Sequence, residues 1–157
     1  MMKILYVCTH NRCRSILSEA ITNAQAGDVI EARSAGSQPA GEVHPLTLKY
    51  LAQAGIATHG LHSKSWDTLA DFKPDVVITL CDAAAGESCP VWLGQTLKLH
   101  WGLADPSRGA ADDPRTGEAF ATTIEIIAQR VERLRALAAQ PRDRWTEQLQ
   151  QMVMHAA

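Results

Sequence analysis

The chain has 157 residues, 46% of them hydrophobic and 20% charged, which is the length and composition of one globular domain. Its 15 Lys and Arg against 17 Asp and Glu give a net charge of -2, so no overall basic field would attract nucleic acid or a membrane surface. Four Trp, two Tyr and two Phe are too few for a single-stranded nucleic-acid stacking platform. A small local anion pocket stays compatible with this charge.

Hydrophobic patterning predicts strands and helices in alternation. In chain order we expect a strand at 3–7, a helix from Ile16 that ends at Gly27, a strand at 30–33, a helix over 45–54, a short helix at 66–72, strands at 75–80 and 97–101, and a helix over 120–137. This order predicts an α/β fold of three layers, with a mostly parallel four-stranded sheet flanked by helices.

Three segments that follow predicted strands are candidates for one functional site. In open parallel sheets, ligands bind at the carboxyl ends of the strands. The segments 8–15, 81–91 and 102–114 each come after a predicted strand. We therefore expect them to converge on one edge of the sheet.

The N-terminus predicts a cytoplasmic protein without a membrane partner. Its apolar run extends only from Ile4 to Cys8, whereas a signal peptide needs about 7–15 apolar residues and a spanning helix about 20. Thiols stay reduced in the cytoplasm, where cysteines are more often catalytic, redox-active or metal-binding than structural. The chain has four: Cys8, Cys13, Cys81 and Cys89.

The loop after the first strand has the features of an anion cradle. Its candidate substrate-binding residues are Thr9, His10, Asn11, Arg12, Cys13, Arg14 and Ser15. Loop N–H groups and the following helix N-terminus attract anions, and a cysteine placed there is a thiolate at neutral pH. Arg14 can aim its guanidinium at an oxyanion, and Ser15 can hydrogen-bond the sulfur of Cys8. The alternative is that Cys8 is only a buried packing residue.

Cys8 to Ser15 resembles the phosphate-binding loop of the low-molecular-weight protein-tyrosine phosphatase family. The resemblance continues through residues 34–36 and Asp105-Pro106, and covers the chain to about residue 138. It implies that Cys8 is the nucleophile, Arg14 an oxyanion ligand and Asp105 the general acid. His10 departs from the family, which commonly has Gly there. We assign residues 1–140 to this domain and 141–157 to a C-terminal tail that is helical or frayed.

Two further cysteines have no role in a phosphatase. Cys81 directly follows the strand at 75–80, and Cys89 comes after the small, polar stretch 82–88. With Cys8, Arg14 and Asp105, this arrangement resembles the thioredoxin-coupled arsenate reductases, which share the phosphatase fold.

The second resemblance implies arsenic detoxification by reduction of arsenate to arsenite. Cys8 would attack arsenate, Cys81 would attack Cys8, and Cys89 would attack Cys81. Thioredoxin would be the reductant, and phosphate or sulfate would bind as oxyanion mimics. No metal or organic cofactor is needed.

The residues alone leave four alternative functions to consider. A plain tyrosine phosphatase would use Cys8, Arg14 and Asp105, with an aromatic wall from Trp66, Trp92 or Trp101. A binding module would use the thiols as ligands for an anion or arsenic. A reductase that passes its adduct to a small thiol could dispense with Cys81 and Cys89. A zinc site would need more ligands near these two cysteines than the sequence provides.

Overall fold

The computed structural model describes residues 1–80 and 96–155, with side chains to 152. The loop predicted over 81–91, together with Cys81, Cys89 and Trp92, lies outside the described residues.

The expected strands and helices are confirmed within these residues. They are β1 Met2–Val7, α1 Arg14–Ala26, β2 Ile30–Ala35, α2 Pro45–Gln53, β3 Val76–Thr79, β4 Leu97–His100, α3 Pro114–Ala138 and α4 Trp145–His155. Short 3-10 helices span Trp66–Leu69, Pro106–Arg108 and Arg142–Arg144. Helix α3 begins earlier than the apolar pattern predicts, because Asp113 caps it by accepting a hydrogen bond from Arg115 N and Pro114 suits its first turn.

The four strands form one parallel sheet in the order β2-β1-β3-β4, which confirms the predicted fold class. Val7 at the end of β1 pairs in register with Ala35 and Thr79, and Thr79 pairs with His100. All four strands therefore end at the same edge. The segments after β1 and β4 meet there, as expected for 8–15 and 102–114.

Strand β1 is buried on both faces and separates two hydrophobic clusters. Met2, Ile4 and Tyr6 belong to the larger cluster, which contains the buried faces of α1 and α3. Leu5 and Val7 alternate with them and pack in a smaller cluster that includes Leu69 and Phe72. The sheet is thus the middle of three layers.

The C-terminal helix α4 packs on the larger cluster. Trp145 and Leu149 are 8% and 2% exposed and belong to that cluster, and Trp145 Nε1 donates to Gln140 O at 3.1 Å. Arg142 lies over the Trp145 ring and pairs with Asp75 at 2.6 Å. Across residues 1–80 and 96–155, the helices include none with the length and apolar character to cross a membrane.

Candidate active site

The loop between β1 and α1 holds Cys8 against the start of the helix. Cys8 Sγ lies 2.9 Å from Ser15 Oγ, and both residues are buried. Asn11 Nδ2 donates to Ser15 Oγ at 2.7 Å. Asn11 has a φ of 48°, a left-handed conformation that Asn tolerates better than most residues. The predicted contact between Ser15 and the Cys8 sulfur is therefore present, with Asn11 holding the serine in place.

The loop carbonyl groups are bound by the segment 38–44, which orients the peptide planes. Backbone N–H groups of this segment donate as follows: Gln38 to Thr9 O at 2.9 Å, Ala40 to His10 O at 3.0 Å and His44 to Arg12 O at 3.0 Å. In a trans peptide the next N–H points opposite to the carbonyl, and no described bond is cis. The N–H groups that follow these carbonyls therefore point away from the segment, as the predicted anion cradle requires.

Gly36, just after β2, allows the sheet to approach this loop closely. A Cβ at Gly36 would lie 2.5 Å from Thr9 O and 2.8 Å from Cys8 O. Cys8 N also donates to Ala35 O at 3.3 Å. Only glycine can occupy position 36 without displacing the loop backbone.

Arg14 and Asp105 line the same cleft, of about 390 Å³, together with Arg108. Arg14 Nη1 donates to Leu103 O at 3.0 Å, which ties the segment after β4 to the first loop. Leu80, the residue before Cys81, also lines the cleft. The structure thus brings the predicted oxyanion ligand and the predicted acid together, far apart as they are in sequence.

Asp105 is held as a carboxylate in the free protein. Its Oδ1 accepts hydrogen bonds from Ser107 N at 2.9 Å and Ser107 Oγ at 2.6 Å, so it caps the following 3-10 helix. Burial raises the pKa of Asp105, but the Ser107 hydrogen bonds and the charges of Arg14 and Arg108 outweigh this, and the net pKa is lowered.

Replacing Asp105 with alanine is expected to cost about 1 kcal/mol of folding free energy at pH 7, because the cap is lost. Since folding lowers the pKa of Asp105, its carboxylate stabilises the fold above the unfolded value of about 3.9, and this stabilisation is lost as the pH falls through the folded value. Urea unfolding of wild type and D105A should show a difference at pH 7 that shrinks near pH 3. An equal difference at both pH values would contradict this assignment.

The other predicted loop side chains have different surroundings. His10 is exposed and its Nδ1 lies 3.0 Å from Gln38 O, while Arg12 is exposed to solvent. Burial raises the pKa of Cys13 to about 12, so this thiol stays protonated at neutral pH.

The aromatic wall expected for a tyrosine phosphatase is not provided by Trp101. This side chain is 3% exposed and lies under Arg130, so it cannot line a substrate pocket. Trp66 packs against the smaller cluster.

Sequence reasoning missed several residues that build the site. Ser107 and Arg108 help to keep Asp105 ionised. Arg130 donates hydrogen bonds to Trp101 O and Gly102 O, in the segment that precedes Asp105. Lys64 donates its backbone N–H to Asn11 Oδ1 at 2.9 Å. Lys64 and Arg130 act across a long sequence separation, so no local pattern marks them, whereas Ser107 and Arg108 directly follow Asp105-Pro106 and could have been considered with it. Within residues 1–80 and 96–155, no group of three or more His, Cys, Asp or Glu side chains could hold a metal ion.

Comparison with known proteins agrees with this geometry. Residues 3–150 match the model of the low molecular weight phosphotyrosine protein phosphatase family. The arsenate reductase of Halalkalibacterium halodurans is 31% identical over 128 residues, which cover 82% of this chain and 91% of that protein.

Two solved structures are also similar to the chain. An arsenate reductase in the phosphate-binding state superposes with a TM-score of 0.72 at 30% identity, covering 88% of this chain and all (100%) of that one. A Corynebacterium glutamicum thioredoxin-dependent arsenate reductase gives 0.66 at 30% identity, covering 88% of this chain and 62% of that one. The chain belongs to the low molecular weight phosphotyrosine protein phosphatase family, in the group that includes arsenate reductases.

Proposed function

We propose that this protein reduces arsenate to arsenite through a thiol relay and that thioredoxin reduces the final disulfide. One observation carries the proposal. Cys8 lies against Ser15 in an anion loop whose Arg14 shares a cleft with Asp105 and with Leu80, the residue before Cys81. The proposed oxyanion ligand and the proposed acid thus line one cleft, the proposed nucleophile lies in the loop that leads to Arg14, and the chain continues from Leu80 to two more cysteines.

Arsenate is a tetrahedral oxyanion, so the loop N–H groups and Arg14 suit it as they suit phosphate or sulfate. The Arg14 guanidinium gives one donor to Leu103 O, and its remaining donors can serve the substrate oxygens. This pre-organised set stabilises negative charge without having to reorient during the reaction.

In the first step the Cys8 thiolate attacks arsenic, a sulfur–arsenic bond forms and one oxygen departs as water. Asp105 is a carboxylate before substrate binds. Bound arsenate adds negative charge and shares Arg14, and both effects favour the protonated acid. We propose that Asp105 receives a proton carried by arsenate and transfers it to the departing oxygen.

In the second step Cys81 attacks the Cys8 sulfur and breaks the sulfur–arsenic bond. The bonding electron pair stays on arsenic, which is reduced to arsenite, while Cys8 and Cys81 are oxidised to a disulfide. Cys89 then attacks Cys81, which frees Cys8 and leaves a Cys81–Cys89 disulfide. The dithiol of thioredoxin reduces this bond, so the net electrons come from thioredoxin. We propose that this chemistry detoxifies arsenic in the cytoplasm.

The test follows NADPH loss with arsenate, thioredoxin and thioredoxin reductase for wild type, C81S and C89S. Each variant is expected to lose at least about 100-fold in steady-state turnover. C89S should still release one arsenite per enzyme, because it can form the Cys8–Cys81 disulfide, whereas C81S should release none.

Three outcomes would contradict the proposal. Turnover that survives the loss of both Cys81 and Cys89 would exclude the relay. Turnover supported by glutathione and glutaredoxin but not by thioredoxin would exclude the proposed reductant. Hydrolysis of an aryl phosphate far faster than arsenate reduction would favour a tyrosine phosphatase.

A further inference from the structure

We propose that Lys64 is a positioning residue of the anion loop, whose largely buried ammonium neutralises Glu19 behind the loop and so keeps the loop favourable to a bound oxyanion. This rests on the proposed function of the Cys8 loop. Neither residue touches the cleft that Arg14 and Asp105 line.

The Lys64 ammonium is surrounded by oxygen atoms. Its Nζ lies 3.4 Å from Glu19 Oε1, 3.4 Å from Ser34 Oγ and 3.2 Å from His62 O. Ser34 Oγ donates to Glu19 Oε1 at 2.6 Å. The side chains of Lys64 and Glu19 are 11% and 14% exposed, so solvent screens this pair far less than a surface pair.

The backbone of Lys64 connects the ion pair to the loop. Its N–H donates to Asn11 Oδ1 at 2.9 Å, and its carbonyl accepts from Gly36 N at 2.9 Å. Asn11 in turn donates to Ser15 Oγ, which contacts Cys8 Sγ. Asn11 is therefore the single residue between the backbone of Lys64 and Ser15, the serine that contacts the sulfur of Cys8.

The charge of Glu19 supports the charged form of Lys64. Burial lowers the pKa of Lys64, Glu19 opposes this by its charge and hydrogen bond, and Arg33 adds to the lowering. Without the ammonium, the Glu19 carboxylate would be a poorly screened negative charge on the helix that starts at the anion loop. An uncompensated buried charge of this kind disfavours both a bound oxyanion and a thiolate.

A charge-balancing cycle tests this role with inorganic phosphate as the probe. The variants are K64M, E19Q and the double variant K64M/E19Q, with the exposed-lysine variant K49M as a matched control. Titration calorimetry should show that K64M weakens phosphate binding by at least about tenfold, while the double variant returns to within about threefold of wild type. K49M should bind phosphate like wild type.

The backbone contacts of position 64 do not require a lysine, so a purely structural role predicts a different result. If Lys64 only packs the loop, the double variant would bind phosphate no better than K64M, and that would overturn the proposal. K64M binding phosphate as tightly as wild type would also overturn it.

A second measurement covers the case in which K64M does not fold. In K64A, methylammonium at constant ionic strength should restore phosphate binding, whereas tetramethylammonium, which cannot donate a hydrogen bond, should not. No difference between the two cations would count against the proposal. Because phosphate binding is measured apart from arsenate turnover, a failure of the proposed reductase activity would leave this result interpretable.

Discussion

Replacing Cys8 with serine is expected to reduce arsenate turnover by at least about 10³-fold while phosphate still binds to the loop. A serine hydroxyl stays protonated at neutral pH, so it attacks arsenic poorly, and it cannot form a disulfide with Cys81. The groups proposed to bind the oxyanion, the loop N–H groups and Arg14, are unchanged. Turnover by NADPH consumption and phosphate affinity by calorimetry separate the two effects.

The matched control is Cys13→Ser in the same loop. Cys13 is 3% exposed and burial raises its pKa to about 12, so it is a protonated packing residue. Its loss is expected to change turnover by less than about fivefold, with a stability cost of about 1–2 kcal/mol for the buried hydroxyl. If the two variants lose the same fraction of arsenate turnover, or if C8S keeps more than a few per cent of it, Cys8 is not the nucleophile.

The second large effect is expected for Arg14→Lys, with a decrease in arsenate kcat/KM of about 10²–10³-fold. The guanidinium donates to Leu103 O at 3.0 Å and still has donors for the substrate. A lysine keeps the charge but has no planar fork, so it cannot hold the Leu103 carbonyl and an oxyanion in the same geometry. Steady-state kinetics and phosphate calorimetry should show both weaker binding and slower reaction.

The exposed neighbour Arg12 provides the control for charge alone. Arg12→Lys keeps a solvent-exposed cation at the rim of the loop and is expected to stay within about threefold of wild type. If R12K and R14K lose the same activity, the contribution of Arg14 is general electrostatic attraction and not directed hydrogen bonding.

Much of the fold was predictable because it depends on local pattern. The apolar runs of β1 and β3, the helical periodicity of α3 and the strand-helix alternation each report burial along a few neighbouring residues. The three-layer α/β class and the position of the anion loop follow from them. The start of α3 was not visible in its apolar pattern, because an Asp113 cap and Pro114 define it instead.

The site divides in the same way. Cys8, Arg14 and Ser15 stand close together in the chain, so their spacing between a strand and a helix indicated an anion site, and the resemblance added Asp105. Lys64 could not be found by that route, because its contact with Asn11 depends on loops that meet only in the folded protein. Ser107 and Arg108 are local neighbours of Asp105, and it is the folded turn that aims them at its carboxylate.

Residue order and hydrophobic patterning were enough to predict the α/β class, the anion loop and three cysteines in the order that a relay needs. The charge states of Cys13 and Asp105 and the approach of the loops could be seen only in the folded protein. Parallel strands ending at one edge bring Arg14 to Asp105, and burial keeps Cys13 protonated while Ser107 and two arginines keep Asp105 ionised. The approach of Arg14 to Asp105 and the burial of Cys13 depend on distance and desolvation, which exist only after residues far apart in the chain have packed together.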